Sequence, residues 1–138
     1  MNRKSFILKT GVFIGVCACA GACVLPKGEQ VEPKKEEKVD FTIDLTETKF
    51  ADLQKIGGFI YEKLIIVVRK STSEYLAFNQ YCTHAAGVVQ FIPQNNHLQC
   101  PVHGSIFDLD GKVIQSPAIN PLKKYKAERN GNLLRVFE

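Results

Sequence analysis

Two regimes of hydrophobic patterning divide the chain. From Gly11 to Leu25 it runs "GVFIGVCACAGACVL", an apolar stretch without a charge, preceded by the basic segment "NRKSFILK" and stopped by Pro26. From Phe41 onward the apolar residues come in short groups separated by turn residues. "FTIDL" and "EYLAF" alternate as half-buried strands do, and "KLIIVVR" is a β-branched run suited to a buried strand. "GVVQFI" leads into the turn "PQNNH", and "LQC" follows it. "SIFDLDGKVI" holds a hairpin turn at Asp110–Gly111, and "KKYKAERNGNLLRVF" holds another at Asn130–Gly131. No segment keeps a 3.6-residue period with caps, so helices beyond a turn or two are not expected. The pattern predicts an all-β domain over residues 41–138.

The first regime, residues 1–25, has the layout of a bacterial export signal or membrane anchor: a basic start, an apolar run, then small residues. The run is short for a span, which needs roughly 20 residues. "NRKSFILK" is similar to a twin-arginine export signal with Lys4 in place of the second arginine. "VCAC" ending at Cys19 and "AGAC" ending at Cys23 resemble lipoboxes, in which the final cysteine is acylated, though neither carries the leucine of a strong match. The alternative is a helix that uses cysteine as a small hydrophobe. Residues 26–40, "PKGEQVEPKKEEKVD", are polar, contain Pro26 and Pro33 and lack periodicity, so they read as a linker. Fully extended, this segment would reach roughly 50 Å. The domain is therefore expected on the outer face of a bacterial cytoplasmic membrane, tethered through its N-terminus.

Composition narrows the function classes. The formal charge of +4 points at first to an acidic partner, but Arg3, Lys4 and Lys9 sit in a leader without acids, and the remainder is nearly neutral. No basic stripe with interleaved aromatics is present, which excludes nucleic acid as the expected partner. Of the five cysteines, Cys17, Cys19 and Cys23 lie in the leader, leaving only Cys82 and Cys100 for the domain. A disulfide scaffold would place a larger, even number there.

Those two cysteines each stand beside a histidine. "YCTHAAG" places Cys82 two residues before His84, and "CPVHGS" places Cys100 three before His103. Each pair follows a predicted strand, and the 15 residues between His84 and Cys100 suffice for one out-and-back strand pair turning at "PQNN". Both pairs then arrive at the same end of a sheet. Two thiolates and two imidazoles suit either tetrahedral zinc or a 2Fe-2S cluster with Cys on one iron and His on the other. One Cys and one His per loop favours iron, because zinc sites of this donor set usually take both cysteines from one knuckle. His97, the remaining histidine, reads as a surface strand residue.

"CTH" followed 15 residues later by "CPVHGS" resembles the Rieske iron–sulfur proteins, and the resemblance extends over "FADLQKIGGFIY", "IIVVR", "YLAFNQYCTHAAG", "CPVHGSIFDLDGKV" and "SPAINPLKKY". It implies an antiparallel β-sandwich with a small cluster-binding subdomain formed by two loops. By the same resemblance Cys82 and Cys100 hold the inner iron of one 2Fe-2S cluster, and His84 and His103 hold the outer iron and couple electron to proton transfer. Ser105 matches a serine that donates to a bridging sulfide, whereas Phe107 stands where a tyrosine often donates a second such bond. "PAINP" resembles the proline loop that covers the cluster. The family's quinol-oxidising members brace the two loops with a disulfide, and the matching positions here are Gly87 and Val102.

The resemblance implies an electron-transfer subunit of a membrane quinol:cytochrome c or plastocyanin oxidoreductase, partnered by cytochrome b and a c-type cytochrome, rather than an enzyme alone. One retained donor at Ser105 and one lost at Phe107 imply an intermediate potential, suited to a low-potential quinol such as menaquinol. A Rieske small subunit or ferredoxin of a periplasmic oxidoreductase, such as arsenite oxidase, is the second expectation. A zinc-stabilised binding module is the third.

Overall fold

The computed structural model describes residues 38–138. The expected export segment with Cys17, Cys19 and Cys23, and the linker up to Glu37, lie outside the described residues. Ten strands follow one another: β1 (Asp40–Asp44), β2 (Phe59–Glu62), β3 (Ile65–Arg69), β4 (Tyr75–Asn79), β5 (Gln90–Ile92), β6 (His97–Gln99), β7 (Ile106–Phe107), β8 (Val113–Gln115), β9 (Lys124–Asn130) and β10 (Leu133–Phe137). The helical content among the described residues is one short 3-10 segment, Thr48–Gln54, broken by a non-helical Phe50.

Every strand pairing is antiparallel, in two sheets ordered β1-β10-β9-β4-β3-β2 and β5-β6-β7-β8. The larger sheet is joined in its middle by only two residue pairs, Ala77↔Tyr125 and Phe78↔Lys124. Its halves therefore fold onto each other: Ile43, Leu134 and Val136 from one half and Ile65, Val67, Tyr75 and Ala77 from the other form one core. The opposite faces of β3 and β4 supply Ile66, Val68, Leu76 and Phe78 to a second core, completed by Val89, Phe91, Leu98 and Phe107 of the smaller sheet and its loops. This is why "IIVV" and "YLAF" are buried at four consecutive positions. Alternate side chains go to alternate cores, as the two-residue period of a strand requires.

Several boundaries differ from the sequence expectation. Lys63 and Leu64, read as the start of a strand, form the β2–β3 turn with φ of 49° and 65°. Left-handed backbone costs a non-glycine residue roughly 1–2 kcal/mol, and this turn lacks the Asn-Gly chemistry that would have announced it, so β2 was not separately expected. Val88 of "GVVQFI" makes an isolated bridge with Tyr81, and the strand proper begins at Gln90. The last hairpin turns one residue later than expected, with Leu133 paired to Asn130 around Gly131 and Asn132.

Candidate functional site

The smaller sheet carries two loops of the same construction. In the first, the Cys82 N–H donates to Gly87 O at 2.7 Å and the Ala86 N–H donates to Cys82 O at 3.0 Å. In the second, the Cys100 N–H donates to Ser105 O at 2.8 Å and the Gly104 N–H donates to Cys100 O at 2.9 Å. The fourth residue after each cysteine turns left-handed, Ala86 with φ of 53° and Gly104 with φ of 80°. Each loop closes on its own cysteine and sends the following histidine outward. The first is flanked by the Tyr81↔Val88 bridge, and the second lies between β6 and β7.

The four candidate donors are graded by depth. Cys82 and Cys100 are free thiols, 4% and 1% exposed, within the second core. His84 and His103 are exposed, and their rings meet edge to face with centroids 4.8 Å apart. The structure thus brings the two imidazoles together and buries both thiols in the second core. Among the described residues no three His, Cys, Asp or Glu side chains converge as donors to a single ion. A two-iron cluster asks for two donors on each iron, and this set fits it.

Ser105, the only buried polar residue among the described ones, is fully enclosed. Its hydroxyl oxygen accepts the Ala118 N–H at 3.0 Å, which leaves its own proton free to be donated. A buried donor with its proton in hand fits an acceptor sulfide between the loops. Phe107 is completely buried and offers no such proton. His97 opens β6 half-buried, not at the surface as expected, and its buried Nε2 has no hydrogen-bond partner.

Residues the sequence did not single out hold the loops. The Thr83 hydroxyl donates to Asn120 O at 2.6 Å, and Gln115 Nε2 donates to Gly104 O at 2.9 Å. The Tyr61 hydroxyl donates to Val89 O at 2.8 Å, and burial raises its phenol above the ordinary tyrosine value. Thr83 was within sight of the reading, sitting between Cys82 and His84, but only the fold reveals its acceptor. Gly87 and Val102 face each other: a β-carbon on Gly87 would lie 3.3 Å from Val102 Cβ, slightly closer than the 3.5–4.5 Å usual across a disulfide.

The stretch of chain that carries the histidines is uncharged. From Asn79 to Phe107, and again from Val113 to Leu122, the chain contains no Asp, Glu, Lys or Arg. Val102 and Ile119 are exposed there, at 58% and 88%. Clefts of about 690 and 680 Å³ lie elsewhere, along β4 and β9 and beside the 3-10 segment, and none of their lining residues belongs to either loop.

With this geometry in hand, comparisons with known proteins are specific. A family model described as "Rieske [2Fe-2S] domain" matches residues 23–126. The cytochrome b6-f complex iron–sulfur subunit of Chlorobaculum thiosulfatiphilum is 28% identical over 141 residues, covering 98% of this chain and 75% of that protein. The cyanobacterial plasma membrane Rieske protein of Synechocystis PCC 6803 superposes with a TM-score of 0.53 at 33% identity, over 62% of this chain and 91% of its own. The ferredoxin of carbazole 1,9a-dioxygenase from Nocardioides aromaticivorans shares the fold, with a TM-score of 0.51 at 23% identity, over 59% of this chain and 86% of its own.

Proposed function

The chain belongs to the Rieske [2Fe-2S] domain family, an electron-transfer family whose members carry one such cluster, and from that premise we propose that it is the iron–sulfur subunit of a membrane quinol oxidoreductase. Its likeness over nearly its whole length to a protein named as a cytochrome b6-f subunit supports this reading. The observation that carries it is the graded donor set, with buried Cys82 and Cys100 to take the inner iron and exposed His84 and His103 to take the outer one. When bound, the cluster supplies a one-electron couple whose potential is raised because neutral imidazoles replace two thiolates.

The protein's own groups do the rest. Each imidazole would commit one ring nitrogen to iron and keep the other at the surface, where, once it has lost its proton in the oxidised state, it could accept a hydrogen bond from a quinol hydroxyl and then take that proton. Ser105 donates to the buried side of the site and favours the reduced state, while Phe107 withholds a second donor. This combination supports an intermediate potential and a low-potential quinol donor. Cytochrome b and a c-type cytochrome are the proposed partners. The apolar leader, the linker and the cysteines at 19 and 23 support tethering outside the cytoplasmic membrane. No helix among the described residues is long and apolar enough to cross it.

Redox titration of the full chain at several pH values, with electron paramagnetic resonance of the reduced state, tests the proposal. The expected result is a Rieske-type signal whose midpoint potential falls as pH rises through the imidazole range, with quinol-dependent reduction abolished in His84→Ala and His103→Ala. A low potential that ignores pH would favour the second reading, a Rieske small subunit or ferredoxin of a periplasmic oxidoreductase such as arsenite oxidase. The unbraced pair Gly87 and Val102 and the missing donor at Phe107 support that alternative.

A further inference from the structure

The two candidate ligand loops are rooted differently in the fold. The second is closed at its base within one sheet: Cys100 follows the last residue of β6, Ser105 precedes the first of β7, and Gln99 pairs with Ile106. The first loop leaves β4 of the larger sheet after Asn79 and enters β5 of the smaller one at Gln90, two strands that do not pair with each other. Its base is instead Gln80 and Val89, joined by the Val89 N–H donating to Gln80 O at 2.8 Å. Both members of that base are held by the β2–β3 hairpin. The Gln80 N–H donates to Leu64 O in the hairpin turn at 3.0 Å, and the Tyr61 hydroxyl of β2 donates to Val89 O at 2.8 Å. Resting on the ligand assignment proposed above, we infer that the β2–β3 hairpin clamps the base of the first ligand loop, and that Tyr61 is the positioning residue that closes the clamp.

The Leu64 tie is made by backbone alone, whereas the Tyr61 tie depends on a side chain. The two-residue period of a strand puts Tyr61 on the same face of β2 as Phe59, which packs against the second core. The two rings meet edge to face with centroids 5.7 Å apart, and this contact orients the Tyr61 ring toward its acceptor. Val89 is fully buried in the second core, so without the hydroxyl its carbonyl would be left unpaired away from solvent. Cys82 stands two residues beyond Gln80, and its N–H donates to Gly87 O inside the same loop. Play at the base therefore moves one buried thiol relative to the other, and hence acts on any cluster gripped by both loops.

The test compares the full-length holoprotein with Tyr61→Phe and, as a control, Tyr75→Phe. Tyr75 lies on β4 of the same sheet and its buried hydroxyl has no hydrogen-bond partner, so the control deletes the same atom without breaking a bond. Three quantities are read: amide hydrogen exchange across residues 80–89 and 100–105, the rate at which visible absorption decays in an iron chelator, and the paramagnetic resonance spectrum of the reduced protein. Tyr61→Phe should exchange its Val89 and Cys82 amides and lose its cluster about three- to tenfold faster, as a lost hydrogen bond implies, with shifted g-values and unchanged exchange in the second loop. Tyr75→Phe should match the wild type in all three. Unchanged exchange and cluster loss in Tyr61→Phe, or equal acceleration in Tyr75→Phe, would overturn the clamp. Faster loss with unmoved g-values would reduce Tyr61 to a general stabiliser and overturn its positioning role. A wild type without a Rieske-type signal would instead sink the ligand assignment, and exchange across residues 80–89 would still decide the clamp.

Discussion

A β-carbon placed on Gly87 would lie 2.7 Å from Val102 Cγ2 and 2.9 Å from Cys100 Sγ. Real β-carbons do not approach so closely, and one of the two obstacles is a candidate iron ligand, so the loop rather than the surface has to yield. Gly87→Ala should reduce iron bound per chain, and Gly87→Ala/Val102→Ala should recover part of it by removing the nearer obstacle; iron and sulfide assays on purified protein check both. Ala86 is the converse case. With φ of 53° it carries a left-handed penalty that Gly104, its counterpart in the second loop, escapes. Ala86→Gly should therefore stabilise the protein by about 0.5–1 kcal/mol, the penalty relieved less the added entropy of the unfolded chain, which denaturant titration would measure. The four candidate donors and Ser105 could be singled out from the sequence because their chemistry is local and their spacing distinctive. Thr83, Gln115 and Ala86 were not, because what matters about them is an acceptor 37 residues away, another 11 away, and a backbone angle.

At the scale of elements, the β7–β8 hairpin is tied to β9 by Lys124, whose Nζ donates to Asp110 Oδ1 and to Leu109 O, each at 2.9 Å. The hydrogen bond and charge of Lys124 hold the Asp110 carboxyl below the usual aspartate value, and Arg135 does the same to Asp40 between β10 and β1. A carboxyl whose pKa is lowered by folding contributes stability above its unfolded value, near 3.9, and loses it as pH falls through the folded value. The melting temperature should accordingly hold between about pH 7 and 5 and drop below about pH 4. Asp110→Asn combined with Asp40→Asn should make that drop shallower, as calorimetry across pH would show. The hairpin itself was readable because Asp-Gly announces its turn, whereas the Lys63–Leu64 turn announces nothing and its left-handed angles are imposed by the pairing of Glu62 with Ile65. Periodicity likewise indicated a buried β3, yet β4 looked half-exposed, since sequence alternation cannot reveal that both faces meet a core.

Across the whole described domain, charge is segregated. The ion pairs Lys49–Glu62, Lys70–Glu74, Lys123–Glu138, Lys124–Asp110 and Arg135–Asp40 all lie outside the two uncharged stretches that surround His84 and His103. Encounters between soluble redox proteins are commonly steered by opposed charge, which quickens association at low salt and fades as the Debye length shrinks. Stretches without charge offer no such steering of their own, and their hold on a partner would come from burying exposed groups such as Val102 and Ile119. The second-order rate of electron transfer from the reduced protein to a soluble c-type cytochrome should thus change by less than about twofold between low and physiological salt. Ile119→Lys places a cation at a position that is 88% exposed. That variant should acquire a salt dependence whose sign follows the charge of the cytochrome, measurable by stopped flow. A steep salt slope in the wild type would mean that the partner meets the charged part of the domain, and that the electron leaves by a route other than the exposed histidines.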